Sequence, residues 1–104
     1  MEECIFCDII ERKAPAGIQY EDDICMAFDD LYPKKRLHML IVPKKHIATI
    51  AEMSEGDEKI VGHMVKIAKQ LAEKNNCVGY QLLFNVGKEG GQVIFHIHLH
   101  LMAN

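Results

Sequence analysis

Three histidines alternate with aliphatic residues near the C-terminus, in the stretch HIHLHLM at residues 96–102. An imidazole can attack an electrophile, transfer a proton or bind a metal, so the directions of the three rings decide the available chemistry. In a helix the rings would point in different directions, whereas in a strand His96, His98 and His100 line one face, about 6.6 Å apart. The β-branched and aromatic residues at 93–95 favour a strand. The pattern therefore predicts a strand with one core face and one face of imidazoles.

The loop before this stretch contains residues that could hold an anion. Gly90 and Gly91 allow the backbone to approach a ligand closely, and successive N–H groups there can form an anion cradle. Asn85, at the end of the preceding predicted strand, offers a side-chain donor. The spacing of the three histidines alone does not distinguish a metal site from a nucleophile with its proton-transfer partners.

Two cysteines that could also take part in chemistry, Cys4-x-x-Cys7, lie near the N-terminus. This spacing is typical of a zinc ligand pair or a redox pair, and a reduced pair without metal is the alternative. The pair precedes a short predicted helix without the βαβ setting of thioredoxin-like motifs, which disfavours a redox role. Cys25 and Cys77 stand apart and are interpreted as small buried apolar residues.

Composition limits the classes of function. The chain has 104 residues, 49% of them hydrophobic and 26% charged, as expected for a single soluble domain spanning 1–104. A net charge of −3 argues against general nucleic-acid binding. The sequence contains no apolar run of membrane-spanning length and no signal-peptide pattern at its start, so we expect no membrane association and a cytoplasmic location. Basic residues at 33–36 and 44–45 are interpreted as solvated loop charges, with attraction of phosphate-bearing ligands as the alternative.

Hydrophobic periodicity predicts an α+β domain with a mainly antiparallel sheet of about five strands, one long helix and one short helix. The predicted elements are a helix at about 6–11, strands at 17–22, 24–30 and 38–43, a long helix after residue 54, a strand at 80–86 and the histidine strand.

The long helix has the clearest signals of all the predicted elements. Ser54 is its expected N-cap, with Asp57 completing a weak capping box, and Asn75 marks its end. His63 falls off the apolar stripe and is interpreted as a solvated residue without function. The expected buried stripe is Ile60, Val61, Met64, Val65, Ile67, Ala68, Leu71 and Ala72.

The stretch HIHLHLM resembles the His-x-His-x-His-x-x signature of the histidine triad (HIT) family of nucleotide hydrolases and transferases. The segments CIFCDII, AFDDLYP, HMLIVPKKHI and NVGKEGGQ resemble corresponding segments of that family in the same order. The likeness covers nearly the whole chain and is greatest to the small Hint-like branch, which acts on nucleoside phosphoramidates. The resemblance implies the HIT fold and a homodimer.

The resemblance also implies roles for individual residues. His98 is implied as the nucleophile that forms a covalent nucleotidyl intermediate, His100 as a phosphate contact that assists proton transfer, and His38 as the histidine that completes the site. The implied nucleotide contacts are Asn85, Gln92 and the backbone of Val93 for phosphate, Asp30 for ribose, and Ile5, Phe6, Ile9, Phe28, Asp29 and Leu31 around the base. For Phe6, Phe28 and Leu31, ordinary core packing is the alternative.

Family members with the same cysteine pair imply a structural zinc ion on Cys4, Cys7, His46 and His96, and no catalytic cofactor. The implied substrate is a purine nucleotide conjugate of AMP or GMP. Alternatives are a dinucleoside polyphosphate hydrolase, a non-catalytic zinc-containing nucleotide-binding module, and a metal enzyme lined by the histidines. Hint-like members commonly have serine where this chain has Val93, which keeps the backbone N–H but lacks the hydroxyl.

Overall fold

A computed structural model describes residues 4–104 of the chain. Its helices and strands are α1 (Ile5–Ile10), β1 (Ile18–Glu21), β2 (Cys25–Asp29), β3 (Leu37–Pro43), α2 (Asp57–Lys74), β4 (Gln81–Leu83) and β5 (Leu99–Ala103). The strands form one sheet in the order β1-β2-β3-β5-β4, and each neighbouring pair is antiparallel. The predicted α+β fold, with five strands, one long helix and one short helix, is confirmed.

The two helices accompany apolar clusters on opposite faces of the sheet. Cys25 and Ala27 of β2 belong to the cluster that contains the buried residues of α2. Met26 and Phe28 point the other way and belong to a cluster with Phe6 of α1. Because both faces are covered, β2 and β3 read as nearly continuous apolar runs instead of alternating with polar residues.

The strand that carries the histidines is shorter than the sequence predicted. β5 begins at Leu99, and residues 93–98 before it are not part of the ladder. The N–H of Ile97 donates to the carbonyl of Ile47 at 2.8 Å, which ties this segment to the loop after β3. Alternation of faces still holds for the aliphatic residues, because Ile97, Leu99 and Leu101 all lie in the core under α2.

The start of α2 differs from the prediction. Gly56, with φ of 93°, is the N-cap, and the expected cap at Ser54 is wrong. The Asp57 carboxylate instead accepts hydrogen bonds from the Ser54 N–H at 2.9 Å and from its hydroxyl at 3.0 Å. The helix ends at Lys74 with Asn75 as its C-cap, as predicted.

The buried stripe of α2 is confirmed at five positions, while Ile60 and Val61 are half-buried. Val65 is 39% exposed, so its predicted burial is wrong. His63 is also not simply solvated, because its Nε2 atom lies 2.6 Å from Asp22 Oδ2 and links α2 to the turn between β1 and β2. Within residues 4–104, neither helix combines the length and apolarity that crossing a membrane requires.

Candidate active site and metal centre

A cavity of about 400 Å³ opens on the α1 side of the sheet. All the predicted catalytic and nucleotide-contacting residues line it except Gln92. Its apolar end is formed by side chains of α1, β2 and the loop that follows β2, namely Ile5, Phe6, Ile9, Phe28 and Leu31. Its polar end contains His38, His98, His100, Asp29, Asp30 and Asn85, with Val93 at the rim. The cavity therefore joins an apolar surface to a cluster of imidazoles.

His98 presents an unprotonated nitrogen to this cavity. Its Nδ1–H donates to the backbone carbonyl of His96 at 2.8 Å, which leaves the lone pair on Nε2. The side chain is largely buried, and this burial lowers the pKa of His98 below its ordinary value. A neutral imidazole with a free Nε2 lone pair is the form that can act as a nucleophile.

His38 and His100 form a hydrogen-bonded pair next to His98. The backbone N–H of Lys34 donates to His38 Nδ1 at 3.1 Å, so the proton of His38 is on Nε2 and faces His100 Nδ1 at 2.9 Å. His100 therefore carries its proton on Nε2, which is buried and has no hydrogen-bond partner within residues 4–104. Burial, followed by the neighbouring rings, lowers the pKa of His100 to about 4. His100 therefore keeps an N–H donor available, and its ring centroid is 5.0 Å from that of His98.

Asp30 borders the same pair. One of its carboxylate oxygens accepts the N–H of Tyr32 at 2.8 Å, and the other lies 3.3 Å from His38 Nε2. The carboxylate is therefore held beside the His38–His100 pair, and Asp30 also lines the cavity.

The glycine loop does not form the anion cradle that its sequence allows. The N–H groups of Gly90, Gly91 and Gln92 donate to carbonyl groups within the loop itself. By contrast, the N–H of Val93 donates to no backbone acceptor within residues 4–104. Gly91 has φ of 90° and lies against Asn85, so a side chain at this position would strain the backbone. The hydrogen-bond donors that remain available to a ligand near the loop are therefore the Val93 N–H and the Asn85 side chain.

The buried side chain of Gln92 has a different role from the predicted phosphate contact. Its amide donates to the carbonyls of Ala48 and Ile94 at 2.8 and 3.0 Å, and its oxygen accepts the N–H of Gly87 at 2.9 Å. Both amide hydrogens are therefore already used. Gln92 holds the loop against the segment after β3 instead of facing the cavity.

The four predicted metal ligands come together beside His98. Their ligand atoms, from Cys4, Cys7, His46 and His96, all lie within 4.8 Å of one another. Cys4 Sγ is 3.3 Å from His96 Nδ1, and Cys7 Sγ is 3.2 Å from His46 Nδ1. All four cysteines of the chain are free thiols.

His96 presents Nδ1 to this cluster because its other nitrogen is occupied. Its Nε2–H donates to the backbone carbonyl of Pro43 at 2.8 Å, and burial lowers the pKa of His96 to about 4. The ring is therefore neutral, with a lone pair on the nitrogen that faces both sulfur atoms. A hydrogen bond from the other ring nitrogen to a backbone carbonyl is the usual way to orient a metal-binding imidazole.

Six residues at the cavity wall were not predicted as site residues, namely Pro15, Ala16, Tyr32, Lys34, Leu40 and Ile94. Tyr32 and Lys34 come from the loop between β2 and β3, and Ile94 from the segment before the triad. Lys34 belongs to the basic stretch at 33–36, so its charge was visible in the sequence, but its position at the cavity was not.

Comparison with known proteins agrees with this geometry. Residues 3–104 match the family described as scavenger mRNA decapping enzyme C-term binding. The purine nucleoside phosphoramidase of Escherichia coli strain K12 is 40% identical over 104 residues, covering 98% of this chain and 87% of that protein. A HIT family hydrolase from Legionella pneumophila superposes with a TM-score of 0.94 at 41% identity, covering 98% of this chain and 93% of that one.

A further solved structure is a Zn-bound histidine triad family protein from Mycobacterium smegmatis. Its TM-score is 0.87 at 30% identity, covering 97% of this chain and 74% of that one. The triad stretch, the five-stranded antiparallel sheet and these similarities along almost the whole chain agree with one another. The chain therefore belongs to the histidine triad family, in its Hint-like branch, and is a HIT-family hydrolase.

Proposed function

We propose that this protein hydrolyses purine nucleoside 5′-phosphoramidates, or related nucleotide conjugates, at the α-phosphorus. The observation that carries the proposal is the hydrogen bond from His98 Nδ1–H to the His96 carbonyl, which leaves Nε2 as a lone pair in the cavity. The similarity to the purine nucleoside phosphoramidase of Escherichia coli supports the same substrate class. The apolar end of the cavity suits a purine base, and the imidazole end suits its phosphoryl group.

In the proposed first step, His98 Nε2 forms a bond to phosphorus while the bond between phosphorus and the amine breaks. The nucleotidyl-histidine that results carries a positive imidazolium, whose Nδ1–H remains bonded to the His96 carbonyl. In the second step, water attacks phosphorus and the electron pair returns to His98, which releases the nucleoside monophosphate. The departing amine takes up one proton from solvent in the first step and the attacking water returns one to solvent in the second, so protons balance over the cycle. His100, whose ring centroid is 5.0 Å from that of His98, would donate a hydrogen bond during both steps.

The unpartnered donors at the polar end have a role in both steps. Negative charge on the phosphoryl oxygens is met by His100 Nε2–H, the Val93 N–H and the Asn85 amide. Because these donors are already fixed before the substrate binds, little reorganisation is needed as charge develops. Asp30, which also lines the cavity, is placed to accept hydrogen bonds from ribose hydroxyls.

The test is turnover of adenosine 5′-phosphoramidate, compared with that of diadenosine polyphosphates at equal concentration. We expect AMP and ammonia from the phosphoramidate, and an acid-labile adenylyl label on the protein when the reaction is quenched early. Faster turnover of the polyphosphates would favour the dinucleoside polyphosphate hydrolase. Nucleotide binding without turnover of either substrate would favour a non-catalytic nucleotide-binding module.

We also propose that Cys4, Cys7, His46 and His96 hold a structural zinc ion. Two sulfur and two imidazole donors are a preferred zinc set, and the Zn-bound relative from Mycobacterium smegmatis supports the choice of metal. Four protein ligands leave no position for substrate, so the ion would fasten α1 to the segment before β5 and take no part in the reaction. Metal analysis of the purified protein, with one equivalent of zinc expected, is the test.

A homodimer is the third part of the proposal. β4 lies at the edge of the sheet, and its Leu82 and Leu83 side chains are 40% and 43% exposed. Unpaired backbone groups and exposed apolar side chains on an edge strand favour pairing with another chain. Light scattering should give the mass of two chains, and Leu82→Lys should shift the mass towards one chain.

A further inference from the structure

Lys34 is the cation at the wall of the cavity. Apart from the imidazoles, the charged side chains that line the cavity are Asp29, Asp30 and Lys34. Burial lowers the pKa of His100 to about 4, so that ring is neutral at neutral pH. Lys34, by contrast, carries a full positive charge at neutral pH.

The carboxylates of Asp29 and Asp30 already have partners, whereas the Lys34 ammonium has none among residues 4–104. Asp29 accepts the side-chain amide of Gln19 at 2.9 Å, and Asp30 accepts the N–H of Tyr32 and borders His38. Within residues 4–104, no carboxylate lies within ion-pair distance of Lys34. Its charge is close enough to His100 to add a small contribution to the pKa shift that burial mainly causes. The ammonium is thus exposed, uncompensated and near the polar end of the cavity.

The backbone and side chain of Lys34 have separable roles. Its N–H donates to His38 Nδ1 at 3.1 Å, which fixes the protonation of the His38–His100 pair. That bond does not involve the side chain, so a replacement other than proline leaves it in place. Lys35 follows directly, is also exposed and does not line the cavity. The chain therefore offers a matched control with the same change in charge one residue away.

We propose that the Lys34 ammonium binds the negatively charged phosphoryl oxygens of the nucleotide and so selects anionic nucleotides over uncharged nucleosides. This inference rests on the proposed function, because it assigns a further binding residue to the same cavity. The ligand class is a nucleoside 5′-monophosphoryl group with at least one full negative charge, as in AMP or its amides. An ammonium paired with such oxygens forms a charge-assisted hydrogen bond, which is stronger than a neutral one.

The experiment measures the dissociation constants of AMP and adenosine by calorimetry for the wild type, Lys34→Met and Lys35→Met. Methionine keeps most of the aliphatic length of lysine and removes the charge. We expect Lys34→Met to weaken AMP binding by about five- to twentyfold and to leave adenosine unchanged. Lys35→Met should leave both constants unchanged, and Lys34→Arg should retain most of the AMP affinity.

Three results would overturn the assignment. Equal loss of AMP affinity in Lys34→Met and Lys35→Met would mean general surface charge, and equal loss of adenosine and AMP in Lys34→Met would mean damage to the cavity. Absence of AMP binding by the wild type would also refute it. The outcome is separable from that of the proposed function, because AMP binding can depend on Lys34 whether or not the phosphoramidate is hydrolysed.

Discussion

The proposed metal-ligand cluster and the proposed catalytic cluster use the same hydrogen-bond arrangement with opposite ring nitrogens. His96 donates Nε2–H to the Pro43 carbonyl and presents Nδ1 to the two cysteines, whereas His98 donates Nδ1–H to the His96 carbonyl and presents Nε2 to the cavity. Both bonds are 2.8 Å long, and both rings are neutral because burial lowers their pKa. Two histidines two residues apart therefore differ in role because different backbone carbonyls fix their protons.

The two clusters also differ because the cysteine–histidine cluster is closed and the cluster around His98 is open. In the cysteine–histidine cluster each ligand atom has a close neighbour, because Cys4 Sγ contacts His96 Nδ1 and Cys7 Sγ contacts His46 Nδ1. By contrast, His100 has a buried N–H with no partner in the described part of the chain. A closed set suits a structural ion, and an unpartnered donor at a cavity suits a ligand. Removing one residue from each cluster should therefore have different consequences.

The largest effect is expected for His98→Ala. Loss of the nucleophile should reduce phosphoramidate turnover by roughly a thousandfold or more, since no other unprotonated ring nitrogen faces the cavity from the described residues. Zinc content and thermal stability should change little, because the His98 side chain is not among the four metal ligands. Turnover, metal analysis and thermal unfolding test this separation. Retention of the acid-labile label in this variant would contradict the role of His98.

The opposite pattern is expected for Cys7→Ser. Loss of one sulfur ligand should release the metal and lower the free energy of unfolding by about 3 kcal/mol at a metal concentration near a hundred times the original dissociation constant. Turnover should fall by no more than about tenfold, because the ion holds α1 without contacting substrate. Urea unfolding with and without added zinc measures the effect, and Cys77→Ser is the matched control. A variant that keeps its zinc or loses all turnover would show that the two clusters are not separable in this way.

Much of this architecture could be predicted from local sequence patterns. Period-two alternation correctly placed the aliphatic residues of the triad in the core, and three- and four-residue steps located α2. The bounds of β5 could not be predicted, because the residues before Leu99 bond to the Ile47 carbonyl, in a distant part of the chain. Local patterns report which face is buried, but not which distant acceptor a backbone group will meet.

The same limitation applies to side-chain roles. The family resemblance implied Gln92 as a phosphate contact, but the carbonyl of Ala48 that accepts from its amide is 44 residues away in sequence. His63 looked solvated because its partner, Asp22, is 41 residues away. The ring nitrogen that carries the proton in His96 and in His98 could not be predicted either. A spacing of two residues gives the direction of the rings but not their hydrogen-bond partners.

Phe6 offers a way to measure coupling between the two clusters. It lies in α1 between Cys4 and Cys7, and its ring centroid is 5.9 Å from that of His96 and 5.1 Å from that of His98. Phe6→Leu removes both edge-on contacts, and we expect turnover to fall by about three- to tenfold while zinc remains bound. Unfolding should become easier by about 1 kcal/mol.

The control for Phe6→Leu is Ile67→Val, in the core under α2 on the opposite face of the sheet. It should cost a similar amount of stability without changing turnover. Equal effects of the two variants on turnover would attribute the loss to general stability and remove the argument for coupling.

No effect on zinc content is expected from a third group of donors, Asp22, Cys25 and His63, which tests whether proximity alone makes a metal site. Their ligand atoms lie within 4.8 Å of one another, but both oxygens of Asp22 are occupied. One accepts the N–H groups of Ile24 and Cys25, and the other accepts the Tyr20 hydroxyl and borders His63 Nε2. We therefore expect this group to contribute to stability and to bind no metal.

The pH dependence of unfolding is the corresponding measurement. Burial alone would raise the pKa of Asp22, but hydrogen bonds from Cys25, His63 and Tyr20 lower it below its ordinary value. A depressed carboxyl pKa stabilises the fold above about pH 4, near the pKa of an unfolded aspartate, and this contribution is lost as the pH falls towards the folded value. Asp22→Asn should cost about 1–2 kcal/mol at pH 7 and flatten the acid dependence, with unchanged zinc content, while Asp23→Asn should do neither. Loss of zinc in Asp22→Asn would instead assign this third group a metal and remove the distinction between occupied and available donors.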